Sequence, residues 1–300
     1  MASSSWPRWQ LTAPLAALSR PVRTSVRPAG GGPAAGPAAA AGATGAAGAA
    51  GAGSGAPGPS AARGGDGGGP VGTARPGAQH ADGLPVLLGG ARARQTDGTT
   101  CGSAVLVMLA ATGDPALAQW LETGSLPAGE HPPEVPQEPV TGGAAARFAA
   151  AQRTVQAATS RRGLGPLPWP RALGTPPWTA ARVARFPGVR YRVRPFDDAS
   201  AQAPTLLGLV EAAIRRGQPV PLYVGGDVRG GLSHAVPRHV VLAVPPPRGA
   251  GLPGTLQLYE PAAGSVFAVR TADLLARTEP HPALGGWTHV VATLLPVPDR

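Results

Sequence analysis

Cys101 is the only cysteine in the 300-residue chain, and it sits in Gln95-Thr-Asp-Gly-Thr-Thr-Cys101-Gly102, a glycine- and threonine-rich loop that runs into an apolar segment. A thiol attacks carbonyls only as thiolate, and the N-terminus of a helix favours that form through its partial positive charge and free N–H groups. Gln95, six residues upstream, can fold back so that its amide and the Cys101 N–H make a two-donor oxyanion hole. Gly102 would let a substrate carbonyl come close to the backbone. The plainer reading is a structural cysteine on a buried helix face, and taken alone it is the commoner case. The Gln–Cys spacing, the helix start and the Cys-Gly pair favour the chemical one.

A thiolate needs a base. His239 opens the apolar run HVVLAV, so its imidazole would stand at a strand end while the residues behind it fill a core. Glu260 ends TLQLYE just before Pro261. If those two strands pair across the intervening PPPRGAGLPG turn, the carboxylate comes near the imidazole and can hold its tautomer. The competing reading makes Glu260 an ordinary exposed strand end. His289 also opens an apolar strand, with only Asp299 as an acid after it, and reads as a structural histidine. His234 and His239 are spaced like a metal pair but lack a third ligand at a recognisable spacing, so no metal and no cofactor are expected.

These residues need elements to place them. Thr99 and Thr100 can cap a helix from Cys101 to Thr112 with one buried face made by Ala104, Val105, Met108 and Leu109. Asp114-Pro115 opens a second helix reaching Gly124, Ser125–Pro139 is a Pro-rich loop, and Thr141 begins an Ala- and Arg-rich helix ending near Gly163. GPLPWPRALGTPPW reads as a connection. In VRYRVRPF, Val and Tyr alternate with Arg190, Arg192 and Arg194, the period of a half-buried strand. A helix over Thr205–Arg216 follows, then strands at 219–224, 239–244, 255–260, 265–269 and 289–296, with a helical turn at 271–277. Helices first and mostly antiparallel strands after them predict an α+β domain.

The segments QTDGTTCGSAVLVML, RHVVLAV and LQLYEPAAGSVFAVRTADLL together resemble the papain-like cysteine peptidases of the bacteriocin-processing (double-glycine leader) type. The resemblance covers residues 92–124 and 204–296. It implies a papain-like fold and a thiol protease cutting next to small residues such as Gly-Gly. Carried over, Gln95 is the oxyanion donor, Cys101 the nucleophile, His239 the base and Glu260 the orienting acid. The family usually has Asp at the acid position, so Glu260 leaves open whether the third member is retained.

Composition sets the boundaries. Between Pro28 and Pro70, 38 of 43 residues are Ala, Gly or Pro, with no Leu, Ile, Val or aromatic side chain. Such a stretch has almost no apolar surface to offset ordering. Residues 1–83 are therefore expected to be a disordered tail, and 84–300 a domain carrying an Arg-rich insertion at about 125–196. A lone cysteine excludes an internal disulfide framework, and no apolar run approaches a membrane span. Pro14 interrupts the short apolar patch near the N-terminus, making a poor secretory signal. A cytoplasmic location is the expectation, with an organelle transit peptide left open.

All 26 basic residues are Arg against 16 acids, and Pro139–Phe196 holds ten Arg and no acid. A basic face follows, able to meet nucleic acid, an acidic partner or anionic lipid, with nucleic acid the less favoured. Three function classes stand: a cysteine peptidase acting on a peptide or protein, a related acyltransferase, and a catalytically silent binding module using the Arg-rich face.

Overall fold

The computed structural model describes the strand Trp9–Gln10 and residues 83–198, 200–226, 237–247, 251–275 and 277–299. All of these belong to one compact unit. Expectations for the rest of the 1–83 tail, and for His234, lie outside the described residues.

The chain forms β1 (Trp9–Gln10), β2 (Leu84–Leu88), β3 (Ala91–Arg92), α1 (Cys101–Gly113), α2 (Pro115–Thr123), α3 (Ala144–Ser160), α4 (Pro177–Val183), β4 (Val189–Pro195), α5 (Ala203–Arg215), β5 (Val220–Gly225), β6 (His239–Val244), β7 (Thr255–Glu260), β8 (Ser265–Arg270) and β9 (His289–Pro298). The strands make one sheet in the order β1-β2-β8-β7-β6-β5-β9-β4, with β3 paired to β2. Pairing is antiparallel throughout β2–β9, and β1 lies parallel to β2. The domain is α+β, as its order of helices and strands predicts.

The β-branched runs explain the strands. In β6, Val240, Leu242 and Val244 enter one apolar cluster and Val241 and Ala243 the other, so the period of two places a core on both faces of the sheet. Helices α1–α3 cover the first face. Helix α5 covers the second with Leu207, Val210, Ala213 and Ile214, spaced to make one stripe.

Two expectations change. Helix α1 is not buried on one face only: Cys101 through Ala111 are all buried, because the helix lies between β6 on one side and α2 and α3 on the other. A helix apolar all round belongs in such a core position. The connection that ends at Trp178 holds the start of α4, a short helix opened by Pro177 at its first turn. The Arg-rich stretch at about 125–196 contains α3 and β4, a helix and a strand where its sequence places them. Arg147 is buried and donates to the carbonyls of Leu121, Glu122 and Gly142, tying α2 to α3.

Helix starts follow the residue types in part. Asp114 caps α2 as expected, its Oδ1 accepting from the N–H groups of Ala116 (2.9 Å) and Leu117 (3.1 Å). Asp114 Oδ2 also meets Arg185 at 2.7 Å, and Arg185 makes a two-pronged contact with buried Glu134 at 2.7 and 3.1 Å. This triad holds the Pro-rich loop after α2 against the segment after α4. Arg185→Ala leaves Glu134 buried without its cation. Because the guanidinium is partly exposed, the expected loss is about 2 kcal/mol rather than the full value for a buried pair. A urea titration reads this directly, with the exposed Arg190→Ala as control; equal midpoints for the two variants would refute it.

Candidate active site

Glu260 ends β7, and the four residues Pro261–Gly264 turn the chain into β8, with Glu260 paired to Ser265. Its carboxylate curls over that turn. Oε1 accepts from the N–H of Ala262 at 2.8 Å and Oε2 from the N–H of Ala263 at 2.5 Å. Oε1 also lies 2.7 Å from Nε2 of His239. Strands β6 and β7 are paired through Leu242–Tyr259 and Ala243–Leu258, which brings the start of β6 beside the end of β7. The pairing anticipated from the sequence thus places imidazole and carboxylate together.

The other side of the imidazole faces Cys101. Cys101 acts on the imidazole from there, and with Nε2 taken by Glu260, Nδ1 is the nitrogen left to meet the thiol. All three residues are buried, Cys101 at 4% exposure, His239 at 8% and Glu260 at 2%. Burial alone would depress the His239 pKa, but hydrogen bonds and charge from Cys101 and Glu260 lift it to about 9. Burial pushes Glu260 up, and the contacts from His239, Ala263 and Ala262 outweigh it, so the carboxyl ends below its usual value. The carboxylate and the thiol therefore both favour the protonated form of the imidazole.

Gly285 lies against the imidazole. A Cβ there would stand 2.5 Å from Cδ2 and 2.7 Å from Nε2 of His239, and its φ of +64° is in the left-handed region. Only glycine fits both demands. Tyr223 of β5 also borders the site: burial raises its pKa, the charge on Cys101 adds to that, and the protonated hydroxyl donates to the Thr175 carbonyl at 3.1 Å.

Two expected contributions differ. Thr100 stands at the N-cap of α1 without making a side-chain cap. Its hydroxyl instead accepts from the N–H groups of Thr96 and Asp97, folding the 95–100 loop onto itself. The first N–H groups of α1 thereby lack a side-chain acceptor and stay available to an incoming oxyanion. The Gln95 amide is turned into the same loop, donating to the Asp97 carbonyl at 2.8 Å, while its Oε1 is buried without a partner. The cause is local: a loop that closes within six residues brings the Asp97 carbonyl within reach of the Gln95 side chain. The amide has a second N–H, so one donor remains.

Gly102 serves a purpose other than the one expected. A Cβ there would meet Thr175 Cβ at 2.6 Å and Oγ1 at 2.8 Å. The close approach is by the chain's own segment before α4, whose Thr175 hydroxyl is buried and unpartnered. His289 is a satisfied histidine, as read from the sequence, but through Asp198, at 2.9 Å from Nδ1, and not through Asp299.

Several positioning residues escaped the sequence reading. Gln152, fully buried on α3, donates to the Arg94 carbonyl and accepts from the Thr96 N–H, and Gln156 donates to the Thr99 hydroxyl. Tyr259 donates to the Ala93 carbonyl, and the Gln95 N–H to the Pro261 carbonyl. The i, i+4 spacing of Gln152 and Gln156 on an otherwise Ala-rich helix was the available signal.

No protein-family model matches the chain, and no curated protein matches it. Among the described residues there is no cluster of ligating side chains suited to a metal, and no single helix is long and apolar enough to cross a membrane.

The raised His239 pKa sets a pH window. A group whose pKa rises on folding from 6.5 to about 9 contributes stability that is complete below 6.5 and lost as pH climbs through 9. The lowered Glu260 contributes above about 4.5 and loses its contribution as pH falls. Wild type should therefore lose on the order of 3 kcal/mol from this site between pH 6 and 10. Glu260→Gln should move the His239 titration, followed by NMR, down from about 9. An unchanged titration in that variant would show that the carboxylate does not set the imidazole's charge.

Proposed function

We propose that the chain is a papain-like cysteine peptidase. The observation supporting this reading is the ordered line of thiol, imidazole and carboxylate at the start of α1, with the His239 pKa held near 9 by its two neighbours. In this reading Cys101 Sγ attacks the carbonyl carbon of a peptide bond and its proton resides on His239. The carbonyl oxygen becomes an oxyanion beside the uncapped N–H groups of α1 and the remaining Gln95 N–H. The C–N bond breaks as the imidazolium gives its proton to the leaving amine, leaving a thioester on Cys101. Water then attacks, its proton passing to His239, and the thiol is released with the carboxylic acid.

Glu260 keeps the imidazole oriented through both halves and stabilises its charged form whenever it carries the proton. Glu in place of Asp is accommodated by the turn: the longer side chain bends back over Ala262 and Ala263 and still reaches Nε2. An acyltransferase would share every step up to the thioester and differ in using an amine to resolve it. The product, acid or amide, separates the two.

With one thiol in the chain, iodoacetamide labelling reads the pair directly. At pH 7 the Cys101 rate should drop about tenfold or more in His239→Ala, with the two rates converging above pH 9. Cys101→Ala should abolish cleavage of Gly-Gly-containing peptides while leaving the fold intact. A Cys101 that labels equally in both proteins at pH 7, or only after denaturation, would leave a binding domain with a core cysteine.

A further inference from the structure

The segment between α3 and α4 leaves the core and exposes what a fold normally hides. Six large apolar side chains stand exposed among the described residues, and four of them, Leu164, Leu167, Leu173 and Trp178, fall within residues 164–178. Clustering of this kind marks interaction surfaces. The excursion has a fixed shape. Leu164 and Leu167 pair across a tight turn, and Trp178 stacks edge-on with Trp169 at 5.3 Å while its indole N–H donates to the Gly163 carbonyl.

Beside these apolar groups lies a groove of about 630 Å³ lined by Arg161, Arg162 and Arg182 together with Ala158, Gly163 and Trp178. No acidic residue lines it. Arg162 holds a φ of 56°, the one left-handed residue other than glycine among the described residues, and Arg182 braces it through the Arg162 carbonyl at 3.2 Å. The neighbouring basic residues are differently engaged: Arg147 is spent on backbone carbonyls and Arg185 on Glu134 and Asp114.

Helix α3 links the groove to the loop that carries the thiol. Gln156 on α3 contacts Thr99, two residues before Cys101, and Arg161 follows five residues on, about 7.5 Å along the helix direction. The excursion then continues to Thr175, packed on Gly102 at the start of α1.

Resting on the peptidase reading of Cys101, we propose that the 161–182 excursion is a docking site for an acidic segment of the substrate polypeptide with interspersed apolar side chains. Its carboxylates meet Arg161, Arg162 and Arg182, its apolar groups meet the Leu164–Trp178 patch, and the adjoining residues extend to Cys101. The site selects substrates by a sequence several residues away from the bond cut.

The test uses the full chain and its single thiol. A peptide bearing a Glu-Glu-Leu-Glu-Glu-Leu block, a six-residue Gly/Ser spacer and a chloroacetyl group alkylates Cys101 by displacing chloride, forming a thioether. It is made with the chloroacetyl group at either end, alongside versions with Gln for Glu. The acidic peptide, in one of its two orientations, should label Cys101 at least about tenfold faster than its Gln counterpart, and the advantage should fade with added salt. Arg161→Glu with Arg182→Glu should remove it while the rate with plain chloroacetamide stays unchanged. The milder Arg161→Gln should reduce it with no change in melting temperature.

Equal rates for the acidic and Gln peptides would overturn the proposal, as would an advantage that survives the Arg variants. An oligo-dT that suppresses labelling at lower concentration than the free acidic peptide would assign the groove to nucleic acid instead. Failure of the peptidase reading shows elsewhere, as chloroacetamide labelling at pH 7 that His239→Ala does not slow.

Discussion

Glu260 must carry its negative charge where water scarcely reaches it, and much of the surrounding architecture follows from meeting that demand. An unpaired carboxylate at 2% exposure would take up a proton or unfold its surroundings. It is kept ionised by two N–H groups of its own turn and by the His239 imidazolium. The same turn carries the site outward: its Pro261 carbonyl accepts from Gln95 N–H, its Ala263 carbonyl from the Arg94 side chain and its Gly264 carbonyl from Val86 N–H. The conformation that stabilises the acid therefore also fixes the strand-and-loop segment leading to the nucleophile. Charge, hairpin geometry and loop position form one coupled unit.

The thiol end is fixed by a different means. Helix α1 is enclosed on every side, so Cys101 cannot move without disturbing both α3 and the sheet. Burial gives rigidity at the cost of access, and what keeps the helix start open to chemistry is the local loop. Thr100 spends its hydroxyl on Thr96 and Asp97 and leaves the N-terminal N–H groups uncapped. Gln152 and Gln156 then hold that loop from outside. A capped helix would be more stable by about 1 kcal/mol and would have its donors occupied.

The α+β order and the proximity of His239 to Glu260 were legible in the sequence because they rest on strand pattern, and strand pattern is local. HVVLAV is a continuous apolar run opened by its histidine and TLQLYE ends on its glutamate, so pairing them predicts the contact. The partly buried partnership of His289 with Asp198 was not legible: 91 residues separate them, and a single sequence carries no signal for a side-chain pair at that range. Gly102 shows the same limit in another form. A glycine after the cysteine signals that something comes close, but whether a ligand or Thr175 does so depends on where a Pro-rich connection happens to cross. Gln95 was legible as an amide in the right loop, while its hydrogen bond to Asp97 depended on a closure that residue types alone did not specify.

Arginine count carries little information in a chain where Arg is the only basic residue besides His, and the structure sorts eight of the ten in Pro139–Phe196 by their surroundings. Arg147 is a structural cross-brace made of three hydrogen bonds to carbonyls. Arg185 compensates buried acids. Arg190, Arg192 and Arg194 stand exposed along β4, the last strand of the sheet, where a row of charges discourages another chain from adding to the edge. Those roles account for five residues without invoking any ligand. Arg161, Arg162 and Arg182 differ because they converge on one groove with a half-exposed tryptophan and no acid lining it, in the same excursion as three exposed leucines. Leucines left in water and cations brought together each cost free energy in the isolated chain, and a partner that is both acidic and apolar relieves the two costs at once.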